Sequence, residues 1–159
     1  MAISRRSQRY VDPLRGPIRP LLRPWRLTIS TPVKRPHAVA VVDDDPNVGK
    51  ALARLLTALG YRAEMFASAE SFMNAVATLD ASCLIIDIHL GGDSGLDLAR
   101  RLSDFGFEFP IIFMTGSGDD AIRTACIDFG CIAFLRKPIP EERLTAAIAE
   151  AIRTRLHAE

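Results

Sequence analysis

The chain has 159 residues, of which 48% are hydrophobic and 25% are charged, which is ordinary for a single globular domain. No apolar run approaches the roughly 20 residues that a membrane-spanning helix needs, so the sequence excludes a membrane-spanning protein. The net charge of +1 hides an asymmetry, because residues 1–36 carry eight arginines and one lysine against one acid, whereas the remaining residues carry 11 basic and 18 acidic side chains.

The first segment, residues 1–36, is a basic arm that holds six of the ten prolines. Prolines at this density prevent a continuous helix, and the apolar residues come singly or in pairs, so no core can form. The composition therefore predicts a disordered arm. Two alternatives stay open: the arm, with Tyr10 and Trp25, contacts nucleic acid or anionic lipid, or the true start of the protein lies downstream of it.

The arm resembles two kinds of targeting segment without matching either. Its early arginine pair is typical of a twin-arginine export signal, but no apolar stretch of about 7–15 residues follows. Its arginine-rich composition is typical of a transit peptide, but the prolines would destroy the amphipathic helix. The three cysteines (Cys83, Cys126 and Cys131) stand in apolar contexts without a second Cys or His pair, so we expect reduced core thiols in a cytoplasmic protein.

From residue 37 to residue 157, short apolar runs alternate with amphipathic helical patterns. The predicted strands are 38–42, 62–66, 82–87, 110–115 and 131–135, and the predicted helices are 46–60, 68–79, 95–106, 119–130 and 140–157. Asp45 and Ser68 are predicted N-caps, and Gly60 a helix stop. Five strand–helix units predict one α/β domain over 37–157, a doubly wound parallel sheet with helices on both faces.

Polar side chains follow four of the five predicted strands, at the point where each strand ends. Because the carboxyl ends of parallel strands meet at one edge of the sheet, we expect these side chains to lie close together. They are Asp43, Asp44, Asp45, Asp87, Thr115 and Lys137. Clustered carboxylates repel one another, and a divalent cation removes that conflict; an all-oxygen donor set favours Mg²⁺. In this arrangement Asp87 could act as a carboxylate nucleophile toward phosphorus, with a charge from Lys137 and a hydrogen bond from Thr115.

Four stretches in register, "VAVVDDDP", "LIIDIHLGGDSGLDL", "IIFMTGSGD" and "FLRKPIP", resemble the receiver domain of two-component response regulators. The resemblance extends over about 120 residues and implies the flavodoxin-like fold with strand order 2-1-3-4-5. A fifth stretch, "YRAEMFASAESF", is similar to receivers of the nitrogen-fixation regulator type.

The resemblance assigns a role to each candidate residue. It implies that Asp44 binds Mg²⁺ directly, that Asp43 acts largely through water, and that the backbone carbonyl of His89 completes the metal site with Asp87. It further implies that Asp87 is the phosphoacceptor. The switch residues would be Thr115 and Phe134, and Lys137 would precede a cis proline, Pro138. For Asp45 we keep the N-cap interpretation, and we expect the His89 side chain to point outward.

The resemblance also implies partners. A sensor histidine kinase or a histidine phosphotransferase would supply the phosphoryl group, and a protein target would read the face of the fourth helix, fifth strand and fifth helix. We expect a stand-alone receiver without a DNA-binding domain, because the last predicted helix ends near residue 157. The resemblance further implies that the chain is not an enzyme with substrate turnover.

Three alternatives compete with this interpretation. The first is a Mg²⁺-dependent phosphohydrolase with an aspartate nucleophile, which would need "DxDxT" where this chain has "DDDPN". The second is a nucleic-acid-binding protein that uses the basic arm. The third is a receiver fold that signals without phosphorylation, which no residue favours.

One position departs from the receiver pattern. The family usually has proline where Gly91 stands, and a second glycine, Gly92, follows. We expect two glycines to loosen this loop and to change metal affinity or phosphoryl lifetime, and Gly91→Pro is the corresponding test.

Overall fold

The structure, a computed structural model, describes residues 36–158 except 117 and 119. Most of the predicted basic arm, residues 1–35, lies outside the described residues. The main sheet contains β1 (Ala38–Val42), β2 (Arg62–Phe66), β3 (Cys83–Asp87), β4 (Ile111–Thr115) and β5 (Ala133–Arg136). The helices are α1 (Pro46–Ala58), α2 (Ala69–Ala75), α3 (Gly95–Asp104), α4 (Asp120–Asp128) and α5 (Glu141–Ala158). Strands and helices therefore alternate as the sequence predicted.

The five strands pair in parallel in the order β2-β1-β3-β4-β5. This is the strand order of the predicted flavodoxin-like fold, which is confirmed. The two central strands β1 and β3 are buried along their whole length. Burial on both faces explains their unbroken apolar runs, because side chains of a parallel sheet meet helices above and below it.

Alternate side chains of the sheet enter two separate apolar clusters. Ala40, Leu84 and Phe113 face the cluster that packs against α2, α3 and α4. Val41 and Ile85 face the cluster that packs against α1 and α5. Each helix thus covers one face through a single apolar stripe, and the sheet forms the floor of both cores.

Side-chain hydrogen bonds cap the first turns of α1 and α2. The Asp45 side chain accepts a hydrogen bond from the Asn47 N–H at 2.8 Å and caps α1, as predicted. Ser68 and Ser71 form a reciprocal capping box at the start of α2. The predicted extent of that helix, 68–79, is wrong, because α2 stops at Ala75 and a 3₁₀ turn, Val76–Thr78, follows.

Two further differences concern the strands. The fifth strand begins at Ala133, two residues later than predicted, because Cys131 still donates to the Cys126 carbonyl and closes the end of α4. The structure also contains a small antiparallel ribbon that was not predicted, in which His89 pairs with Ser94 and Leu90 with Asp93. Among the described residues, every helix is too short or too polar to span a lipid bilayer.

Candidate functional site

The predicted acids and the lysine converge because they continue the same side of three strands. Each polar residue stands two positions beyond a strand residue that enters the cluster packed against α1 and α5. Asp43 follows Val41 at this spacing, Asp87 follows Ile85, and Lys137 follows Leu135. Since side chains alternate along a strand, the three polar residues project on that same side at the carboxyl edge. The strand register therefore brings together residues that are far apart in the sequence.

Lys137 joins two carboxylates. Its Nζ lies 2.5 Å from Asp87 Oδ2 and 2.8 Å from Asp43 Oδ2. The Asp43 side chain has no exposed area, and the side chains of Asp87 and Lys137 are 9% and 22% exposed. Charge-assisted hydrogen bonds of this kind offset the cost of burying carboxylates at the end of apolar strands.

Backbone N–H groups hold the second oxygen of each buried acid. Asp43 Oδ1 accepts from the Asp45 N–H at 2.9 Å, and Asp87 Oδ1 accepts from the His89 N–H at 3.0 Å. Both carboxylates are therefore fixed from two sides, by the chain that follows their own strand and by Lys137, which directly follows β5. The protein's own groups thus hold both carboxylates in defined positions.

Burial and pairing act against each other in the pKa values. Burial raises the pKa of Asp43 above its usual value, although hydrogen bonds from Lys137 and the Asp45 N–H oppose that change. For Lys137, burial alone would lower the pKa, but the hydrogen bonds and charges of Asp43 and Asp87 outweigh it and raise the pKa. Lys137 is therefore a permanent cation of this site at neutral pH.

The donor set suits a hard divalent cation. Asp43, Asp44 and Asp87 each offer a carboxylate oxygen, and these atoms lie within 4.8 Å of one another. Two of the acids are buried and Asp44 is exposed, so the cluster opens to solvent on the Asp44 side. Three carboxylates and one ammonium leave a formal charge of about −2, which a divalent cation would neutralise.

Thr115 and Phe134 lie on the other face of the sheet. Phe134 pairs with Phe113, and Thr115 pairs with Arg136, so the alternation of the two strands puts Thr115 and Phe134 on the same side. Thr115 is fully buried and Phe134 is half-buried against the α2–α4 cluster. The Lys137 N–H donates to the Thr115 carbonyl at 2.7 Å. This hydrogen bond connects the end of β4, which carries Thr115, to the lysine of the acid site.

Of three finer expectations, two agree with the structure and one is not tested. The Lys137–Pro138 peptide bond is cis, as expected from the resemblance. The His89 side chain is exposed, in agreement with the expectation that it points outward. The metal-binding role of its carbonyl stays a prediction.

The double glycine forms the turn of the ribbon, and its expected effect on metal affinity or phosphoryl lifetime stays a prediction. Gly91 has φ +68°, and the Gly92 N–H donates to the Leu90 carbonyl at 2.7 Å. Leu90 is buried and anchors the ribbon. Proline fixes φ near −65°, so Gly91→Pro would break the turn and does not test the metal site cleanly.

Sequence reasoning missed one residue of the site. A Cβ on Gly95 would lie 2.2 Å from the Asp87 carbonyl oxygen and 2.8 Å from Ile86 Cγ2. The Gly95 N–H also donates to the Ile88 carbonyl at 2.9 Å. The first residue of α3 is thus pressed against the strand end that carries Asp87. In the sequence, only the glycine of "DSGLDL", eight residues after Asp87, could have indicated this contact.

Comparisons with known proteins agree with this geometry. The response regulator receiver domain family matches residues 39–149. Among curated proteins, the response regulator protein TmoT of Ectopseudomonas mendocina is 41% identical over 115 residues, 72% of this chain and 52% of that protein. The transcriptional regulatory protein FixJ of Bradyrhizobium diazoefficiens is 35% identical over 115 residues, 72% of this chain and 56% of that protein. The chain thus spans about half the length of these relatives.

Solved structures show the same fold. A response regulator receiver protein from Pseudoalteromonas atlantica superposes with a TM-score of 0.68 at 33% identity, over 74% of this chain and 98% of that one. Full-length FixJ from B. japonicum superposes with a TM-score of 0.70 at 34% identity, over 75% of this chain and 59% of that one.

Proposed function

Because the chain belongs to the response regulator receiver domain family, we propose that it accepts a phosphoryl group on Asp87 and passes the signal to a protein partner. The observation that carries the proposal is the double contact of Lys137 with Asp87 and Asp43, beside the open carboxylate of Asp44. Such a site combines a fixed nucleophile, a permanent cation and a set of oxygen donors.

The chemistry is a phosphoryl transfer between two side chains. A carboxylate oxygen of Asp87 attacks the phosphorus of a phosphohistidine, an O–P bond forms, and the P–N bond breaks with its electron pair returning to the imidazole of the donor. Lys137 balances negative charge on the phosphoryl oxygens, and the His89 N–H holds the Asp87 carboxylate in position. Mg²⁺ held by Asp43, Asp44 and Asp87, with the His89 carbonyl as a further donor, would neutralise charge on the transferred group.

The output begins at Thr115 and Phe134. The Thr115 hydroxyl would hydrogen-bond to a phosphoryl oxygen, and the β4 end would follow it. Phe134 packs on the same side of the sheet, so it would turn inward into the vacated space. The surface of α4, β5 and α5 then differs between the two states and would be read by a downstream protein.

The names of the relatives support a regulatory role. TmoT is named a response regulator and FixJ a transcriptional regulator. For this chain we infer a sensor histidine kinase or histidine phosphotransferase as the donor. We place the exchange in the cytoplasm, where the free thiols of Cys83, Cys126 and Cys131 stay reduced. The chain would undergo its own phosphorylation and would not turn over general phosphoesters.

The test is incubation of the full chain with Mg²⁺ and acetyl phosphate, followed by intact mass spectrometry. We expect a gain of about 80 Da, one phosphoryl group, in the wild type. Asp87→Asn should show no gain. Asp93→Asn is the matched control, because this exposed acid lies on the same ribbon without contacting Lys137, and it should gain mass as the wild type does.

Two results would favour one of the alternative functions. Turnover of phosphoesters that depends on Asp87 would favour a phosphohydrolase. Salt-dependent binding of nucleic acid that disappears when residues 1–36 are removed would favour a function of the basic arm. An unchanged mass in the wild type, also with a phosphorylated histidine donor, would overturn the proposal.

A further inference from the structure

Three helices of the domain end in the same hydrogen-bonded motif. A glycine with positive φ closes α1, α3 and α4, namely Gly60, Gly106 and Gly130. In each case the glycine donates its N–H to the carbonyl three residues back, and the next residue donates to the carbonyl five residues back. This is the Schellman motif, in which the side chains of the two residues joined by the longer bond commonly pack together.

Two of the three motifs join large apolar side chains. The pair is Leu56 with Tyr61 at the end of α1, and Leu102 with Phe107 at the end of α3. Each pair packs within one of the two apolar clusters of the domain. At the end of α4, the same two positions hold cysteines. This helix end therefore brings together two thiols where the other two make a hydrophobic contact.

The two cysteines of α4 are neighbours in the fold. The Cys131 nitrogen lies 3.2 Å from the Cys126 carbonyl oxygen, and both side chains pack in the cluster of α2, α3 and α4. Burial, and after it the charge of nearby Cys131, raises the pKa of Cys126 to about 11, and burial also raises the pKa of Cys131. Cys126 is fully buried and Cys131 is half-buried, so a reagent from solvent would meet Cys131 first.

We propose that Cys126 and Cys131 form a reversible disulfide across the end of α4 when the chain meets a small-molecule disulfide. In a reducing cytoplasm both residues stay thiols. Their raised pKa values keep the thiolate fraction small, so the pair would respond to sustained oxidation. Cys83 lies in the other apolar cluster and would take no part.

The backbone at the end of α4 suits such a bridge. A disulfide needs two Cα atoms that are no more than about 7 Å apart. The hydrogen bond from the Cys131 N–H to the Cys126 carbonyl limits the separation of their Cα atoms to about the same range. The bridge would therefore form without breaking the motif that ends the helix.

The exchange takes two steps. The Cys131 thiol loses its proton, and its thiolate attacks one sulfur of the small disulfide, whose S–S bond breaks as one thiolate leaves with the electron pair. Cys126 then loses its proton, and its thiolate attacks the Cys131 sulfur of this mixed disulfide, which releases the second small thiolate. The two released thiolates take up the two protons. Two protein thiols are thus oxidised, and one small disulfide is reduced to two thiols.

The bridge would join the last turn of α4 to the chain that enters β5. The N–H of the next residue, Ile132, already donates to the Ile111 carbonyl at 2.8 Å, so this segment is also attached to the sheet. Oxidation would therefore restrain α4 against β5, on the surface to which we assign the output. That consequence alone rests on the proposed function, whereas formation of the bridge does not.

The experiment exposes the folded full chain to excess oxidised glutathione and follows its intact mass. We expect a loss of about 2 Da, two hydrogen atoms, which a thiol reductant reverses. The tryptic peptide 124–136, which contains Cys126 and Cys131 but not Cys83, should carry the whole loss. In the oxidised chain, the Gly130 and Cys131 N–H groups should exchange their hydrogens about tenfold more slowly, because the bridge holds the last turn closed.

Variants separate the roles of the three thiols. Cys83→Ala should lose about 2 Da as the wild type does. Cys126→Ala should stop at the mixed disulfide on Cys131, a gain of about 305 Da for one glutathione. Cys131→Ala should keep its mass, because Cys126 is fully buried. Asp87→Asn should form the bridge normally, which keeps this test independent of phosphorylation.

Three outcomes would overturn the proposal. The first is a wild type that stops at the mixed disulfide or forms a bridge with Cys83. The second is a folded chain that stays reduced under conditions that oxidise the urea-unfolded chain. The third is faster hydrogen exchange at Gly130 and Cys131 after oxidation, which would show that the bridge breaks the helix end.

Discussion

Lys137 Nζ lies 2.5 Å from Asp87 Oδ2, so the proposed nucleophile at the end of β3 is in contact with a cation that follows β5, two strands away in the sheet. The same ammonium reaches a second carboxylate, that of Asp43, at 2.8 Å. The site thus contains its own partial counterion, and the lysine has a structural role as well as the proposed chemical one.

Replacing that cation should therefore destabilise the metal-free protein. We expect Lys137→Gln to lower the free energy of unfolding by about 1–3 kcal/mol, less than for a fully buried pair because the lysine is partly exposed. Mg²⁺ should then stabilise the variant more than it stabilises the wild type, since the cation replaces the lost charge. Urea unfolding with and without Mg²⁺ measures both effects. Arg136→Gln removes an exposed neighbouring cation, and an equal loss there would contradict the expectation.

The contact of Gly95 with β3 makes a strong steric prediction. Gly95→Ala should lower the free energy of unfolding by about 2–4 kcal/mol, because its Cβ would overlap the Asp87 carbonyl oxygen. Gly92→Ala, in open space, should change it by less than about 0.5 kcal/mol. Urea unfolding of the two variants is the comparison. Equal free energies of unfolding in Gly95→Ala and Gly92→Ala would contradict the prediction. They would show that the start of α3 can move away from Asp87 without cost.

Arg155 links α5 to the opposite end of the sheet. Its Nη1 donates to the Ala81 carbonyl at 2.7 Å, and its guanidinium lies 5.8 Å from the centre of the Phe109 ring. We expect Arg155→Ala to lower the free energy of unfolding by about 1–2 kcal/mol. The matched control is Arg153→Ala, which removes an exposed ion pair with Glu150 and should cost about 0–1 kcal/mol. Similar losses in chemical denaturation would count against the role of Arg155.

The buried thiol of Cys83 should make stability fall at alkaline pH. Burial raises its pKa from 9.0 to about 12, so the unfolded chain releases this proton first. The contribution to stability is complete below pH 9.0 and is lost as the pH rises toward about 12. Between about pH 8 and about pH 10, the wild type should lose about 1 kcal/mol more than Cys83→Ala does. Denaturant unfolding at both pH values measures the difference, and parallel losses in the two proteins would refute it.

Sequence periodicity predicted the parallel sheet because its central strands are buried on both faces and the helices carry one apolar stripe, whereas the strand order came from the resemblance to receiver domains. The convergence of Asp43, Asp87 and Lys137 was also predictable, since it follows from strand ends meeting at one edge. The end of α2 was not, because nothing in the pattern of Val76–Thr78 separates a 3₁₀ turn from a last α-helical turn.

The remaining features depend on distances between segments. The ribbon strands have two residues each, too short to give an alternating pattern, so the sequence showed its two glycines but not their geometry. The approach of Gly91 to Asp44 and of Gly95 to Asp87 arises only when the chain is folded. A glycine in a sequence seldom reveals a close contact between two segments, because most glycines lie in ordinary turns.

The close approach of Gly95 to Asp87 also matters to anyone who wishes to graft this site onto another protein. A designer who transferred Asp87 alone to the end of a foreign strand would omit the N–H of His89 that orients it. The smallest unit that keeps the local surroundings of Asp87 is β3, the ribbon and the first turn of α3 with Gly95, and the other acids and Lys137 must come from two further strands. Any larger residue in place of Gly95 would clash with the Asp87 backbone carbonyl, however well the carboxylates were placed.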